Sequence, residues 1–254
     1  MSFYNWGFGG KGELVGFGNY AKIFKDVVFW KSFLNTTIYT LGVTPSIFIV
    51  AFILALMLEK PFRGVGFFRT LYFTPVIISF VASSLMWKWM YNDMFGIFNY
   101  LLMKLGLISK PIVWLGSASS AMGSVILMVT WKTAGFSMVI LLAGLISIPE
   151  EIYEASIIDG AGRWEKIRYI TLPLIKSYFF MALLISVLGS YLAFDQFYVM
   201  TQGGPLHGTE TIVMWIYTNS FSYYKLGYGA AMSVMLLLFL MGFSYVYVRR
   251  FRTE

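Results

Sequence analysis

The chain has 254 residues, 58% of them hydrophobic and 12% charged, with a mean hydropathy of +0.72 and a formal net charge of +7. Soluble domains carry about 25% charged residues, so this composition excludes a water-soluble fold and makes lipid the natural solvent. Absent cysteine rules out a disulfide framework or thiolate chemistry, and one histidine without a His/Glu cluster argues against a metal site.

Met1–Lys31 is polar, contains glycine and lacks the long apolar core of a secretory signal. Residues 1–33 therefore read as an extracytoplasmic N-terminal segment. The remainder, 34–254, reads as an all-α polytopic membrane bundle, because a crossing needs ~20 apolar residues and five runs supply them. The first three are 34–58, interrupted by Pro45, then 71–90, with Pro75 near its start, and 121–146, which carries Lys132. The last two are 177–200, with Asp195 near its end, and 228–248. Two shorter amphipathic stretches, Phe95–Ile108 and Thr211–Tyr224, read as interfacial or scoop-like helices, the second equally as a plain loop.

Orientation follows from the basic residues. With five spans, Glu59–Thr70, Pro149–Lys176 and Arg249–Glu254 share one side and hold every arginine. The opposite side has only lysines. The positive-inside rule makes the arginine side cytoplasmic, with the N-terminus outside and the C-terminus inside. The positive charge thus reads as a cytoplasmic face and not as a nucleic-acid surface. An outside N-terminus bearing Lys11, Lys22, Lys25 and Lys31 needs either a further helix upstream or an unusual start.

The polar segment 149–173 stands out between the third and fourth spans. Ser147 with Glu150 has capping-box spacing, and Pro149 is tolerated in a first turn. Ile152, Ala155 and Ser156 then share a face at helical spacing. Asp159–Gly162 is a turn that stops this helix. A second short helix follows with Trp164, Ile167 and Ile170 as its apolar stripe, ending at Pro173. On these residues alone the segment is as readily an amphipathic loop resting on lipid headgroups as a docking knob.

The pattern Glu154-Ala155-Ser156, three residues, Gly160, nine residues, Ile170-Thr171-Leu172-Pro173 resembles the EAA motif of permease subunits in binding-protein-dependent ABC importers. Ser156 replaces the family's second alanine, small for small. Trp131–Phe136 and Thr201–Pro205 resemble stretches of the carbohydrate branch, the MalF-like permeases. The resemblance runs from about Asn5 to Arg250. It implies a prokaryotic cytoplasmic-membrane location and a first membrane helix preceding Ser2–Trp6.

The resemblance further implies that 149–173 is a coupling segment seated on a cytoplasmic ATPase, with Glu154, Ala155, Ser156, Asp159 and Gly160 at the contact. The implied partners are a second, MalG-like permease, two ATPase copies and an extracytoplasmic solute-binding protein, all set in membrane lipid. This chain has no G-x-x-x-x-G-K-[ST] loop, and Gly7–Gly12 is wrongly spaced for one. It is thus read as a non-enzyme, binding no cofactor, with ATP and magnesium on the partner ATPases.

Intramembrane charge is a functional-site hypothesis by default. Lys132 and Asp195 either neutralise each other, bind backbone carbonyls, or line a watery cavity. By resemblance, the sugar-contact positions are Lys132, Thr133 and Phe136 on the third span, and Ser186, Gly189, Ser190 and Ala193 on the fourth. The latter four share one helix face, which would serve equally as a small-residue packing seam. Phe136 with Tyr191 or Tyr198 could stack on a sugar ring. The leading expectation is a sugar or oligosaccharide permease. The alternatives are an ABC permease for another polar solute, such as glycerol phosphate or a polyamine, and a stand-alone channel or membrane receptor.

Overall fold

The structure, a computed structural model, describes residues 1–7, 10 and 12–251. A two-stranded antiparallel hairpin, β1 (Tyr4–Asn5) with β2 (Glu13–Leu14), opens the chain and pairs Tyr4 with Leu14. Helix α1 (Gly18–Lys25) follows, and Asn19 ties it to the hairpin by donating to the Ser2 and Tyr4 carbonyls at 2.9 and 3.0 Å.

Helix α2 (Val27–Leu58) starts at Asp26, whose carboxylate accepts from the Val28 and Phe29 amides at 2.9 and 3.1 Å. Its 32 residues run unbroken through Pro45. The first span therefore begins inside the stretch expected as an N-terminal segment, because the Asp26 cap, not hydropathy, sets the start. Burial would raise the Asp26 carboxyl, but donation from Tyr228, Phe29, Trp215 and Val28 outweighs it and holds the group below the usual carboxylate range.

The expected second span is two helices, α3 (Val65–Ile77) and α4 (Phe80–Met90), bent by 95° at Ile78–Ser79. Three contacts order the pair across the bundle. Arg69 donates to the Leu58 carbonyl where α2 ends (2.7 Å), Lys132 meets the bend, and Tyr91 donates to the Ser124 carbonyl (3.0 Å). The bent pair thus runs from the end of α2 to the start of the next long helix.

Helix α5 (Ile97–Lys104) is short, and Asn99 fastens it to the Ile112 backbone and the Trp114 indole. Helix α6 (Ala118–Ile146) is the third span, capped by Ser117. The segment after it holds α7 (Glu150–Ile158) and α8 (Arg163–Lys166), which continues through a π-turn (Ile167–Thr171) into α9 (Leu172–Leu174).

Helix α10 (Lys176–Tyr191) covers most of the expected fourth run and stops nine residues short of its expected end. The apolar Leu192–Phe194 stretch that suggested continuation is a break, after which α11 (Asp195–Met200) starts afresh. Asp195 therefore lies outside the span, at a helix N-terminus, where a carboxylate suits the dipole. Helix α12 (Ile212–Tyr217) passes into a second π-turn, and α13 (Leu226–Phe251) closes the chain. The Thr211–Tyr224 stretch is thus helical but not interfacial throughout: Ile212, Met214, Trp215 and Asn219 are buried.

Among the described residues three helices are long and apolar enough to cross alone, or five crossings if each bent pair counts once. Helix α6 is the centre: 61% of its most apolar stretch is buried, against 17% for α13. Its Val125, Met128, Met138, Leu141 and Leu145 pack against Tyr39, Val43, Ile47, Ala51 and Ala55 of α2. Lipid tails are as apolar as leucine, so this packing, and not water exclusion, drives association. Gly135 permits a close approach of α3 to α6, since a Cβ there would lie 2.2 Å from the Tyr72 carbonyl oxygen.

Candidate functional site

Two regions gather the residues singled out from the sequence. The first is α7–α9, at the arginine-rich end of the bundle. The Ser147–Glu150 capping box does not form. Ser147 instead ends α6, its hydroxyl donating to the Gly144 carbonyl at 2.7 Å, and Pro149 opens α7. Helix α7 ends in a Schellman turn. Ala161 N–H donates to Ser156 O (2.9 Å), Gly160 N–H donates to Ile157 O (3.0 Å), and Gly160 takes φ +79°. Glu165 accepts from the Gly162 amide and starts the second helix.

The inward face of α7 is Tyr153 and Ser156, so Ile152, Ala155 and Ser156, which share a face by spacing, do not share one environment. Ile152 and Ala155 are exposed with Glu154, Asp159 and Gly160, whereas Ser156 is buried. Trp164 is likewise no part of a buried stripe. It is 69% exposed and shares the surface with Ile157, Ile158 and Tyr169, while Ile167 and Ile170 are half-buried. Four of the five expected ATPase-contact residues are therefore open to a partner, and Ser156 supports them from beneath.

The second region lies at the depth of the bend in α3–α4. Lys132 is buried there, and its ammonium donates to the carbonyls of Pro75 (3.1 Å), Val76 (3.4 Å) and Ile78, while lying 4.6 Å from the Phe80 ring centroid. A helix that stops inside a membrane leaves carbonyls without donors. Lys132 supplies them, and Ser79 caps the outgoing helix by accepting from the Ala82 amide at 3.1 Å. Of the alternatives open for Lys132, backbone binding is the one observed. Among the described residues the only ion pair is His207–Glu210, so Lys132 and Asp195 do not neutralise each other.

Beside this bend is a cavity of about 220 Å³ walled by α2, α3, α4, α6, α10 and α11. Thr133 and Phe136 reach it from α6, and Ser186, Gly189 and Ser190 from α10. Lys132, Ala193 and Asp195 are not on its wall. Lys132 is committed to the bend, and Ala193 sits in the α10–α11 break, where its carbonyl accepts from Thr211 at 2.9 Å. The expected ring partners of Phe136 are also elsewhere. Tyr191 is buried against Thr37 (3.1 Å), and Tyr198 stacks on Phe194 at 5.1 Å.

The polar lining is neutral. Thr133 and Ser190 donate back to their own helix at 2.7 and 2.8 Å, whereas the buried Ser186 hydroxyl has no partner. Sequence reasoning missed Tyr39 and Gln196, which line the wall joined by a 3.3 Å hydrogen bond. A lone tyrosine in a span rich in aromatics carries no signal. Gln196 was hidden beside Asp195, whose charge drew the attention.

The model for inner-membrane components of binding-protein-dependent transport systems matches residues 15–253 of this sequence. The chain belongs to that family. It is 35% identical, over 95% of its length and 78% of the relative's, to the sulfoquinovosyl glycerol transport system permease protein SmoG of Agrobacterium fabrum. The trehalose/maltose transport system permease protein MalF of Thermococcus litoralis is 34% identical over 94% of this chain and 81% of its own. The fold matches a crystallised bacterial alginate ABC transporter in complex with an alginate pentasaccharide-bound periplasmic protein, with a TM-score of 0.81 at 23% identity, covering 94% of this chain and 85% of the other. As a binding-protein-dependent permease, the chain is a membrane component of an ABC importer and not a catalytic subunit.

Proposed function

We propose that this permease passes a neutral, hydroxyl-rich solute of the sugar class, and that α7–α9 docks a cytoplasmic ATPase whose closure rocks the bundle between two openings. The observation that carries the solute class is the cavity wall. None of its fourteen lining residues is charged, and its polar groups are threonine, serine, tyrosine and glutamine. A phosphate ester would call for a cation and a polyamine for carboxylates. Lys132 is spent on the bend. Hydroxyls and an amide that donate and accept, set among aromatic and aliphatic side chains, suit a solute with an apolar ring face and many hydroxyls. The relatives' names support the sugar class. Trehalose and maltose are neutral, whereas sulfoquinovosyl glycerol carries a sulfonate, so neutrality rests on the cavity wall alone.

In this reading the N-terminal hairpin faces the outside, where a solute-binding protein delivers the solute, and the C-terminus is cytoplasmic. The remaining partners are a second permease and two ATPase copies, which hold ATP and magnesium. Glu154, Ala155, Asp159 and Gly160 form the docking surface, and Thr133, Phe136, Ser186, Gly189, Ser190, Tyr39 and Gln196 the pathway. Uptake by the reconstituted importer tests it. Ser190→Leu, which fills the cavity, lowers solute uptake at least tenfold while the complex still assembles. Unchanged uptake moves the pathway elsewhere.

A further inference from the structure

Docking alone does not move a solute site, so α7, which follows α6 directly, also needs a connection into α10, another helix of the cavity wall. One side-chain route provides it. The Tyr153 hydroxyl on α7 lies 3.1 Å from the Thr171 hydroxyl at the end of the first π-turn, and Thr171 is only 2% exposed. Burial raises the Tyr153 hydroxyl above its ordinary value, partly offset by Thr171 and reinforced by the nearby Glu59 carboxylate, so the phenol keeps its proton. No other side chain–side chain hydrogen bond among the described residues joins α7 to the stretch that follows it. Ser156 supports the joint from behind, donating to the Tyr153 carbonyl at 2.6 Å.

Beyond Thr171 the connection is backbone. Ile175 N–H donates to Thr171 O and Phe179 N–H to Ile175 O, each at 3.0 Å, which carries the ladder across the 72° bend into α10. Ile175 is fully buried in the main core, and Phe179 packs on Phe48 of α2 at 4.7 Å. Ser186 follows eleven residues after Ile175, about 16 Å along a helix rising 1.5 Å per residue. The π-turn adds a wide, i→i+5 loop at this junction, with Leu172 N–H donating to Ile167 O. Such insertions recur at functional sites.

We infer that Tyr153 and Thr171 form a clasp that transmits displacement of α7 to α10 and so to the cavity wall. Both are positioning residues: Thr171 is buried, Tyr153 is half-buried, and neither lines the cavity. The inference rests on the coupling reading above. Without the clasp, α7 still docks, but its movement is taken up in the Gly160–Gly162 turn and not delivered to α10.

The test is the ratio of ATP hydrolysed to solute imported by the reconstituted importer, with ATPase co-purification measured in parallel. Tyr153→Phe and Thr171→Val each remove one neutral hydrogen bond, and each raises the ratio roughly fivefold. The double variant is no worse than either single one, and Thr171→Ser restores the ratio. Ratios within twofold of the unaltered chain, or additive effects, overturn the clasp. So does loss of ATPase from the singly substituted complexes, which would make these residues part of docking. Failure of the unaltered chain to retain an ATPase at all would instead sink the coupling reading, so the two failures separate.

Discussion

The exposed helices at the arginine end and the cavity at mid-depth hold their shapes by opposite means. In α7–α9 the shape comes mainly from local turn and cap devices: the Schellman turn at Gly160, the Glu165 carboxylate cap on the Gly162 amide and the π-turn before Leu172. Large apolar side chains there, Ile158 and Trp164 among them, face outward. Around the cavity the shape comes from side chains: aliphatic and aromatic packing, one buried ammonium holding a broken helix, and a few neutral polar groups. The first region should therefore fail when its backbone is strained. The second should fail when a side chain's volume or charge is changed.

Gly160 gives the largest effect and the sharpest test of the first half. A Cβ there meets no atom within 4 Å, so a substitution acts only through φ +79°. Left-handed backbone costs an L-residue roughly 1–2 kcal/mol, least for asparagine. Gly160→Val should abolish coupled transport, whereas Gly160→Asn keeps most of it. Equal loss in both variants would mean that the ATPase reads the missing side chain and not the turn.

Lys132→Met comes next and bears on the second half. Removing the ammonium leaves the α3 carbonyls without a donor, at a cost of about 1–3 kcal/mol. The yield and thermal stability of assembled protein should drop, with the apparent affinity of the surviving protein unchanged. Altered affinity at full yield would return Lys132 to the pathway. Ser186→Ala has a smaller effect of the opposite kind. Its hydroxyl is already unpartnered, so stability holds while the apparent KM rises a few-fold.

Asp26→Ala touches neither region directly. It removes an N-cap worth about 1 kcal/mol together with the acceptor of the Trp215 indole and Tyr228 hydroxyl, read as a lower Tm at pH 7. The Asp26 carboxyl is held below its usual range in the folded chain, so its contribution is complete above the unfolded pKa of about 3.9 and fades as pH falls through the lower folded value. The Tm difference between the variant and the unaltered chain should narrow at acid pH and hold steady above about pH 5.

The same contrast governs what could be read in the sequence. Segment 149–173 was legible because its signals are local. A glycine at fixed spacing from Glu154 and Pro173 marks the turn wherever the segment packs. Which face turned inward was not legible, since apolar Ile152 and amphipathic Tyr153 are both candidates for burial and only the position of Thr171 decides between them. Hydropathy marked the apolar runs but could not register the 95° bend, because Ile77, Ile78 and Phe80 are as apolar in a bend as in a straight helix. The same blindness carried the fourth span through Leu192–Phe194. Lys132 shows the limit most clearly: its charge marked an important position, but its partners come from residues more than fifty positions away.

Solute-stimulated ATP hydrolysis by the reconstituted importer tests the central claim most directly, measured across a panel of neutral sugars, phosphate esters and polyamines. The account predicts stimulation by a neutral sugar, none by the charged solutes, and loss of that stimulation in the Ser190→Leu complex. Stimulation by a phosphate ester or a polyamine, or full stimulation with Ser190→Leu, would contradict it.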